Sequence, residues 1–226
     1  MVHSHHTWLK FVRNYLDLAN RLEEAIAGLI MVLGFTLIAG STAVSEKQGV
    51  RTLLLGALGC NTAWGIIDSA LFAWGNLTDR RLQLRFLTNL RSAPNESEVL
   101  SAIGGRLNPL LEPEVGAEER TRLCEAILPV VMRVQLPNPD LTKDDVDGMI
   151  AIFMIDVVAV IPAVIPFLFF TEPRIALRVS NGTLIVLLFI TGLLWGRRTG
   201  FNGYLAGCCA MLLGLALVGV AIALGG

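Results

Sequence analysis

The sequence has no excess of charge of either sign and little charge altogether. Its 18 Lys and Arg residues balance 19 Asp and Glu residues, which leaves a formal net charge of −1 at pH 7. Because a nucleic-acid-binding protein usually presents a basic face, no nucleic-acid partner is expected. Charged residues make up 16% of the chain, whereas an ordinary soluble domain has about 25%. This shortage argues against an ordinary soluble domain.

Cysteines and histidines are also few. The four cysteines, at positions 60, 124, 208 and 209, form no C-x-x-C pair, and no His-x-x-x-His spacing accompanies them. Zinc sites and disulfide frameworks therefore have no support. A P-loop, a Gly-rich dinucleotide fingerprint and a Ser-His-Asp constellation are absent as well. We therefore expect no enzymatic activity and no tightly bound cofactor.

Long apolar runs are what the chain has in excess. Hydrophobic residues are 54% of the sequence, and they collect in runs near the roughly 20 residues that a helix needs to cross a bilayer. These runs predict an all-α polytopic membrane protein with five transmembrane helices. The spans are expected at about 24–44, 52–75, 148–170, 175–195 and 204–225.

Two further segments complete the predicted organisation. Residues 1–23 place Trp8, Phe11 and Tyr15 at helical spacing opposite basic residues, which predicts an amphipathic helix at the membrane interface. A helix packed on the protein's own soluble part is the alternative. Residues 76–147, between spans two and three, predict a small helical insert. Residues 24–75 and 148–226 then hold the transmembrane helices.

Arginine and lysine decide the predicted orientation. The sequences DRRLQLRFLTNLR after span two and GRRTG after span four lie on the same side as the basic N-terminal helix. Because cytoplasmic segments are enriched in basic residues, this side is predicted to be cytoplasmic. The N-terminus and the insert are then cytoplasmic and the C-terminus is on the opposite side. The expected location is a bacterial-type inner membrane.

Two aspartates lie inside apolar runs. Asp68 is in GCNTAWGIIDSALFAWG and Asp156 is in GMIAIFMIDVVAV. An intramembrane carboxylate costs several kcal/mol unless it faces protein or water, so each is a candidate for ion or proton handling. Protonation, or pairing with a base such as Arg178, is the alternative. Counting about 1.5 Å per residue places both aspartates, with Met31 and Met211, some 10–12 Å above the inner boundary.

Such a layer predicts a cation site. Carboxylates supply charge, and the thioethers of Met31 and Met211 favour a transition metal, although packing is the commoner role of methionine. Asn61 and Asn181 are expected in a second polar layer, about 21 Å from the inner boundary. Pro162 and Pro166 free main-chain carbonyls in span three, which predicts a helix kink or an ion-binding backbone.

The insert contains glutamates that are candidates for gathering cations. Glu118, Glu119 and Glu125 fall on neighbouring helical positions. A solvated acidic face is the alternative, because Arg120 and Arg122 are interleaved with them. Glycines in spans one and five predict close helix approach, either within the chain or across a homodimer interface; they are Gly28, Gly34, Gly40, Gly207, Gly214 and Gly219.

Two short stretches resemble the vacuolar iron transporter family. IPAVIPFLFF resembles the family's proline-bearing IPLxPF ending of span three, and LLWGRRTG resembles its G-(x)-x-TG turn before the last span. The five spans, the amphipathic helix and the insert are similar as well. In contrast, AGLIMVLGF has no acid after Gly28 where members carry a GxNDG-type motif. GIIDSALF offers Asp68 alone where members usually have a Met and a Glu.

The resemblance implies a homodimer that exchanges ferrous or other divalent metal for protons. Its ion path would run between the two first spans, with Met31 and Thr36 of both copies near the path and Asp68 beside it. We therefore expect a membrane transporter for a divalent transition metal such as iron or manganese, working by metal/proton antiport. The alternative is a non-transporting membrane scaffold or interaction protein with the same five-helix fold.

Overall fold

The computed structural model describes residues 18–43, 47–111 and 115–223, and these residues are all-helical with no strand. Most of the predicted amphipathic helix falls in residues 1–17, outside the described residues. In chain order the helices are α1 (Leu18–Ala43), α2 (Lys47–Arg91), α3 (Glu96–Leu107), α4 (Ala117–Arg133), α5 (Lys143–Val158), α6 (Ile161–Phe169), α7 (Pro173–Thr199) and α8 (Gly203–Ala223). A short 3₁₀ turn, Asn108–Leu110, follows α3.

Three helical segments are long and apolar enough to cross a membrane. They are Gly49–Arg91, Lys143–Phe169 and Pro173–Thr199, and a shorter apolar helix covers Gly203–Leu217. Their length and composition suit a lipid bilayer, which is consistent with the predicted membrane protein. The chain divides into two compact units, one of residues 1–73 with 142–226 and one of residues 74–141.

The first unit has an apolar core between α1, α6 and α7. Leu33, Ala163 and Leu184 are completely buried there, and further buried residues pack with them: Leu29, Val32, Val160 and Leu188. Helix α8 packs closely on α7. A Cβ on Gly207 would lie only 2.8 Å from the Phe189 carbonyl oxygen, and one on Gly192 would lie 2.8 Å from Ala210 Cβ. Glycines therefore let these two helices approach at backbone distance.

Local sequence explains where α5 and α6 begin and end. Thr142 caps α5: its side chain accepts from the Asp145 N–H, while the Asp145 carboxylate accepts from the Thr142 N–H. Helix α5 ends at Val158, four residues before Pro162, which lies in the first turn of α6. Proline has no N–H to bond the carbonyl four residues back. Pro166 lies inside α6 and is buried.

A left-handed residue ends α7. Gly200 has φ +83°, the only positive φ among the described residues. Glycine adopts this conformation at no steric cost, so it stops α7 and lets the chain turn into α8. Arg197 and Arg198 occupy the last turn of α7, where positive charge suits the helix dipole.

The second unit is a small helical assembly. Its core contains Leu90, Val99, Ile103 and Cys124, and Asn95 caps α3 by accepting from the Glu98 N–H at 2.9 Å. Arg91 of α2 donates to the Val134 carbonyl after α4. The predicted insert is therefore helical, with its own apolar centre.

Candidate cation site

Three carboxylates from three helices meet in the first unit. Glu24 of α1, Asp68 of α2 and Asp156 of α5 each offer an oxygen, and these oxygens lie within 4.8 Å of one another. Asp156 is completely buried, whereas Glu24 and Asp68 are half-buried. We call these three residues the acidic cluster. It runs from a partly accessible pair to a carboxylate with no exposure to solvent.

Asp156 has no partner for its charge among the residues that the structure describes. Neither of its carboxylate oxygens has a hydrogen-bond donor in the part of the chain that the structure describes. A buried polar group without a partner costs about 1–3 kcal/mol, and more when it is charged. Arg178 is exposed, and no ion pair between it and Asp156 is found among the described residues. The sequence alternative of a neutralising arginine therefore has no support there.

Two glycines make room for the Asp156 carboxylate. A Cβ on Gly28 of α1 would lie 3.1 Å from Asp156 Oδ1 and 2.8 Å from Ala159 Cβ. A Cβ on Gly65 of α2 would lie 3.2 Å from Asp156 Cβ and 3.4 Å from Oδ2. Side chains at these positions would therefore crowd the carboxylate. The carboxylates of Glu24 and Asp68 lie within 4.8 Å of it.

The pairing of α2 with α5 explains why the two aspartates converge. Asn61 of α2 bonds to the Asp156 carbonyl, and eight residues later the Ser69 hydroxyl donates to the Met149 carbonyl at 2.8 Å. The pairing runs backwards along α5, so the helices are antiparallel. Each Cα–Cβ bond tilts toward the N-terminus of its own helix. Asp68 and Asp156 therefore lean toward each other.

Asn61 is also completely buried. Its Nδ2 donates to the Gly28 carbonyl of α1 at 3.2 Å and to the Asp156 carbonyl of α5 at 2.9 Å, and its Oδ1 has no donor among the described residues. The structure thus places Asn61 against Asp156, which differs from the separate outer layer that residue counting gave. Asn181, the other member of that layer, accepts from the Thr36 hydroxyl at 2.8 Å.

The charge of the acidic cluster requires compensation. Two full charges about 4 Å apart repel by roughly 4 kcal/mol at an effective dielectric constant near 20. Three ionised carboxylates within 4.8 Å therefore need either protons or a cation. No Lys, Arg or His side chain among the described residues forms an ion pair with them. Trp64, one turn before Asp68, has a buried indole N–H near that carboxylate, and no acceptor among the described residues meets it in hydrogen-bond geometry.

The two methionines of the predicted layer are on the first and last helices of the first unit. Met31 is seven residues after Glu24 on α1, which is about 10 Å along the axis, and Met211 is on α8; both are half-buried. Their role as ligands stays a prediction. Thr36 is completely buried and faces Asn181 of α7. It therefore packs inside its own chain, and the position beside a dimer path that the resemblance implied stays a prediction.

The glutamates of the insert lie on the surface of α4. Glu118, Glu119 and Glu125 are exposed, and Glu118 pairs with Arg122 at 2.6 Å. Among the described residues, the only group of three or more His, Cys, Asp and Glu side chains close enough to share an ion is the acidic cluster. A cation-gathering role for the three glutamates stays a prediction.

Sequence reasoning missed Glu24. It lies at the polar edge of span one, where a charged residue is ordinary, and the depth count treated it as the membrane boundary. Helical spacing could have indicated its role, because Glu24 and Gly28 are four residues apart and therefore lie on one face of α1. A glycine on that face allows another helix to approach closely. Comparison with known proteins adds no family: the chain matches no protein-family model and no curated protein.

Proposed function

We propose that the protein is a membrane carrier for a divalent cation, and that the acidic cluster is its binding site. The observation that carries this proposal is the meeting of Glu24, Asp68 and Asp156 within 4.8 Å, with no hydrogen-bond or ionic partner for the buried Asp156 among the described residues. Ionisable residues inside a membrane protein commonly mark ion pathways or proton relays. Carboxylate oxygens suit hard cations such as manganese.

The proposed topology has five membrane spans. In addition to the three long apolar segments, α1 has 26 residues and α8 has 21, and about 20 are enough to cross the hydrocarbon core. Exposed arginines in the latter part of α2 and at the end of α7 support a cytoplasmic N-terminus and a C-terminus on the opposite side; they are Arg81, Arg85, Arg197 and Arg198. A bacterial-type inner membrane is part of this proposal.

Proton exchange follows from the charge of the acidic cluster. Without a cation, protons on the carboxyl groups relieve the repulsion between them. A divalent ion that enters from the half-buried side, past Glu24 and Asp68, replaces those protons, because metal ligands must be deprotonated. Release of the ion lets protons return. The cycle exchanges metal for protons, in agreement with the antiport that the resemblance to vacuolar iron transporters implied.

Uptake of Mn²⁺ into proteoliposomes tests the proposal. The wild-type protein is expected to take up Mn²⁺ with proton movement in the opposite direction. The variants Asp156→Asn and Glu24→Gln are expected to lose uptake, because each removes one charge from the acidic cluster. Glu23→Gln is the matched control, since Glu23 is exposed and accepts from Trp195 Nε1 at 2.7 Å. Uptake by Asp156→Asn at the wild-type rate contradicts the proposal.

A non-transporting scaffold is the second candidate. The observation in its favour is a group of exposed apolar side chains at the end of α4 in the second unit, where Val130 is 62% exposed and Met132 and Val134 are also exposed. Such a surface suits a protein partner. The scaffold predicts no Mn²⁺ uptake and no effect of Asp156→Asn on partner binding.

A homodimer is the proposed assembly of the carrier. Three of the glycines considered for a dimer interface are used inside the chain: Gly28 faces Ala159, Gly207 faces Phe189 and Gly214 faces Leu188. Gly34 and Gly219 have open space on their Cβ side. These two positions are where small residues would let a second copy approach.

A further inference from the structure

Asn61 joins the three helices that carry the acidic cluster. One amide N–H group reaches the Gly28 carbonyl of α1 and the other reaches the Asp156 carbonyl of α5, at 3.2 and 2.9 Å. Asn61 itself belongs to α2 and is completely buried. Because a primary amide is planar and has two N–H donors, these two bonds fix both its position and its orientation.

The two hydrogen bonds of the Asn61 amide join the three helices within two helical turns of each residue of the acidic cluster. Gly28 follows Glu24 by one turn of α1, and Asn61 precedes Asp68 by two turns of α2. On α5 the contact is made by Asp156 itself. The bond between Ser69 and the Met149 carbonyl holds α5 two turns earlier. The stretch of α5 that presents the buried carboxylate is therefore held at both ends.

We infer that Asn61 is the positioning residue of the cation site: its two N–H groups hold the main chain of Asp156 where the buried carboxylate meets Glu24 and Asp68. This inference rests on the proposed function. The Asp156 carboxylate has no hydrogen bond of its own among the described residues. Its placement therefore depends on how the main chain is held. Partners that orient metal ligands typically change metal affinity by 10–100-fold when they are removed.

The amide oxygen of Asn61 gives an alternative role for this residue, that of a direct ligand of the cation. Oδ1 is buried without a donor among the described residues, and an amide oxygen is a possible ligand for a hard cation. The variant Asn61→Asp separates the two roles. It keeps the shape and an oxygen at Oδ1 and adds negative charge, but in its ionised form it has no N–H or O–H donor. A ligand role predicts Mn²⁺ binding that is unchanged or tighter, whereas a positioning role predicts weaker binding.

Mn²⁺ binding to the purified full-length protein in detergent tests the inference. Free Mn²⁺ is measured by electron paramagnetic resonance, and the thermal midpoint is measured without Mn²⁺ on the same monodisperse samples. The variants are Asn61→Leu, Asn61→Asp and the control Thr62→Val. Among the described residues, Thr62 bonds only to the Leu58 carbonyl of its own helix, at 2.7 Å. Both Asn61 variants are expected to bind Mn²⁺ about 10–100-fold more weakly, and Thr62→Val to bind like the wild type.

Each outcome has a separate meaning. Wild-type affinity in both Asn61 variants, with only a lower thermal midpoint, overturns the inference and leaves the cation site standing. Unchanged or tighter binding by Asn61→Asp overturns it in favour of a ligand role. If Asn61→Leu does not fold, the isosteric Asn61→Asp carries the test alone. Failure of the wild type to bind Mn²⁺ overturns the proposed function itself.

Discussion

Asp156 differs from the other two acids in what surrounds it. Glu24 and Asp68 are half-buried, so water reaches them, but Asp156 is enclosed by Gly28, Gly65 and the helix that carries it. The free-energy cost of an uncompensated negative charge is therefore greatest at Asp156, the completely buried member of the acidic cluster. A cation or a proton bound there relieves more unfavourable charge than one bound at the outer pair. For the proposed carrier, this gradient of burial predicts that the cation enters past Glu24 and Asp68.

Gly65→Ala tests whether space beside Asp156 matters. The new methyl group would lie 3.2 Å from Asp156 Cβ and 3.2 Å from Phe153 Cδ2, so it has to displace them. We expect Mn²⁺ affinity to fall about tenfold, equivalent to about 1.4 kcal/mol, as measured by titration of the purified protein. Gly59→Ala on the same helix meets nothing within 4 Å. This control should bind normally, and equal binding by both variants contradicts the role of Gly65.

The element that presents Asp156 is α5, and its sequence sets its length. The Thr142–Asp145 capping box starts the helix, and the break at residues 159–160 ends it before Pro162. The helix is therefore fixed at both ends by local chemistry. Because Asp156 lies two residues before Val158, the last residue of α5, the break also lies beside the acidic cluster.

Thr142→Ala is expected to destabilise α5 without changing the cation site. Loss of an N-cap side chain costs about 1 kcal/mol, which is measurable as a lower free energy of unfolding in detergent. Thr183→Ala is a suitable control, because the hydroxyl of Thr183 bonds, within the described part of the chain, only to the Val179 carbonyl of its own helix, at 2.8 Å. Mn²⁺ affinity should stay within error for both. A loss of affinity in Thr142→Ala would show that the cap also positions Asp156.

Some parts of the site were predictable from single elements and others were not. Asp68 and Asp156 were predictable, because an aspartate within an apolar run is visible in the sequence. The position of Thr142 before two acids is typical of the helix cap that the structure shows there. Counting residues gives depth only if every helix starts at the same height, and this assumption put Asn61 in the wrong layer relative to Asp156. Rotation about each helix axis depends on tertiary packing, here through Gly28 and Gly65.

At the level of the whole molecule, the carrier predicts stabilisation by the ion it binds. A ligand that binds only the folded state adds about 2.7 kcal/mol at 100 times its Kd. We expect the thermal midpoint of the wild type to rise with Mn²⁺ concentration, and that of Asp156→Asn to stay constant. An equal rise in both proteins would place the bound ion elsewhere.

The rise of the thermal midpoint that Mn²⁺ causes should depend on pH. Since cation binding requires deprotonated carboxylates, protons compete with Mn²⁺ for the acidic cluster. The Mn²⁺-dependent stabilisation is therefore expected to shrink as the pH is lowered from about 7 to about 5. A stabilisation that is independent of pH across this range contradicts proton exchange, although not cation binding.

Anomalous diffraction from crystals grown with Mn²⁺ tests the acidic cluster most directly. We predict one strong manganese peak per chain, within coordinating distance of an oxygen from each of Glu24, Asp68 and Asp156. The peak should be absent from crystals of Asp156→Asn grown in the same way. A wild-type structure with no peak at these residues, or with one of the three carboxylates paired to an arginine or lysine instead, would contradict the proposed site.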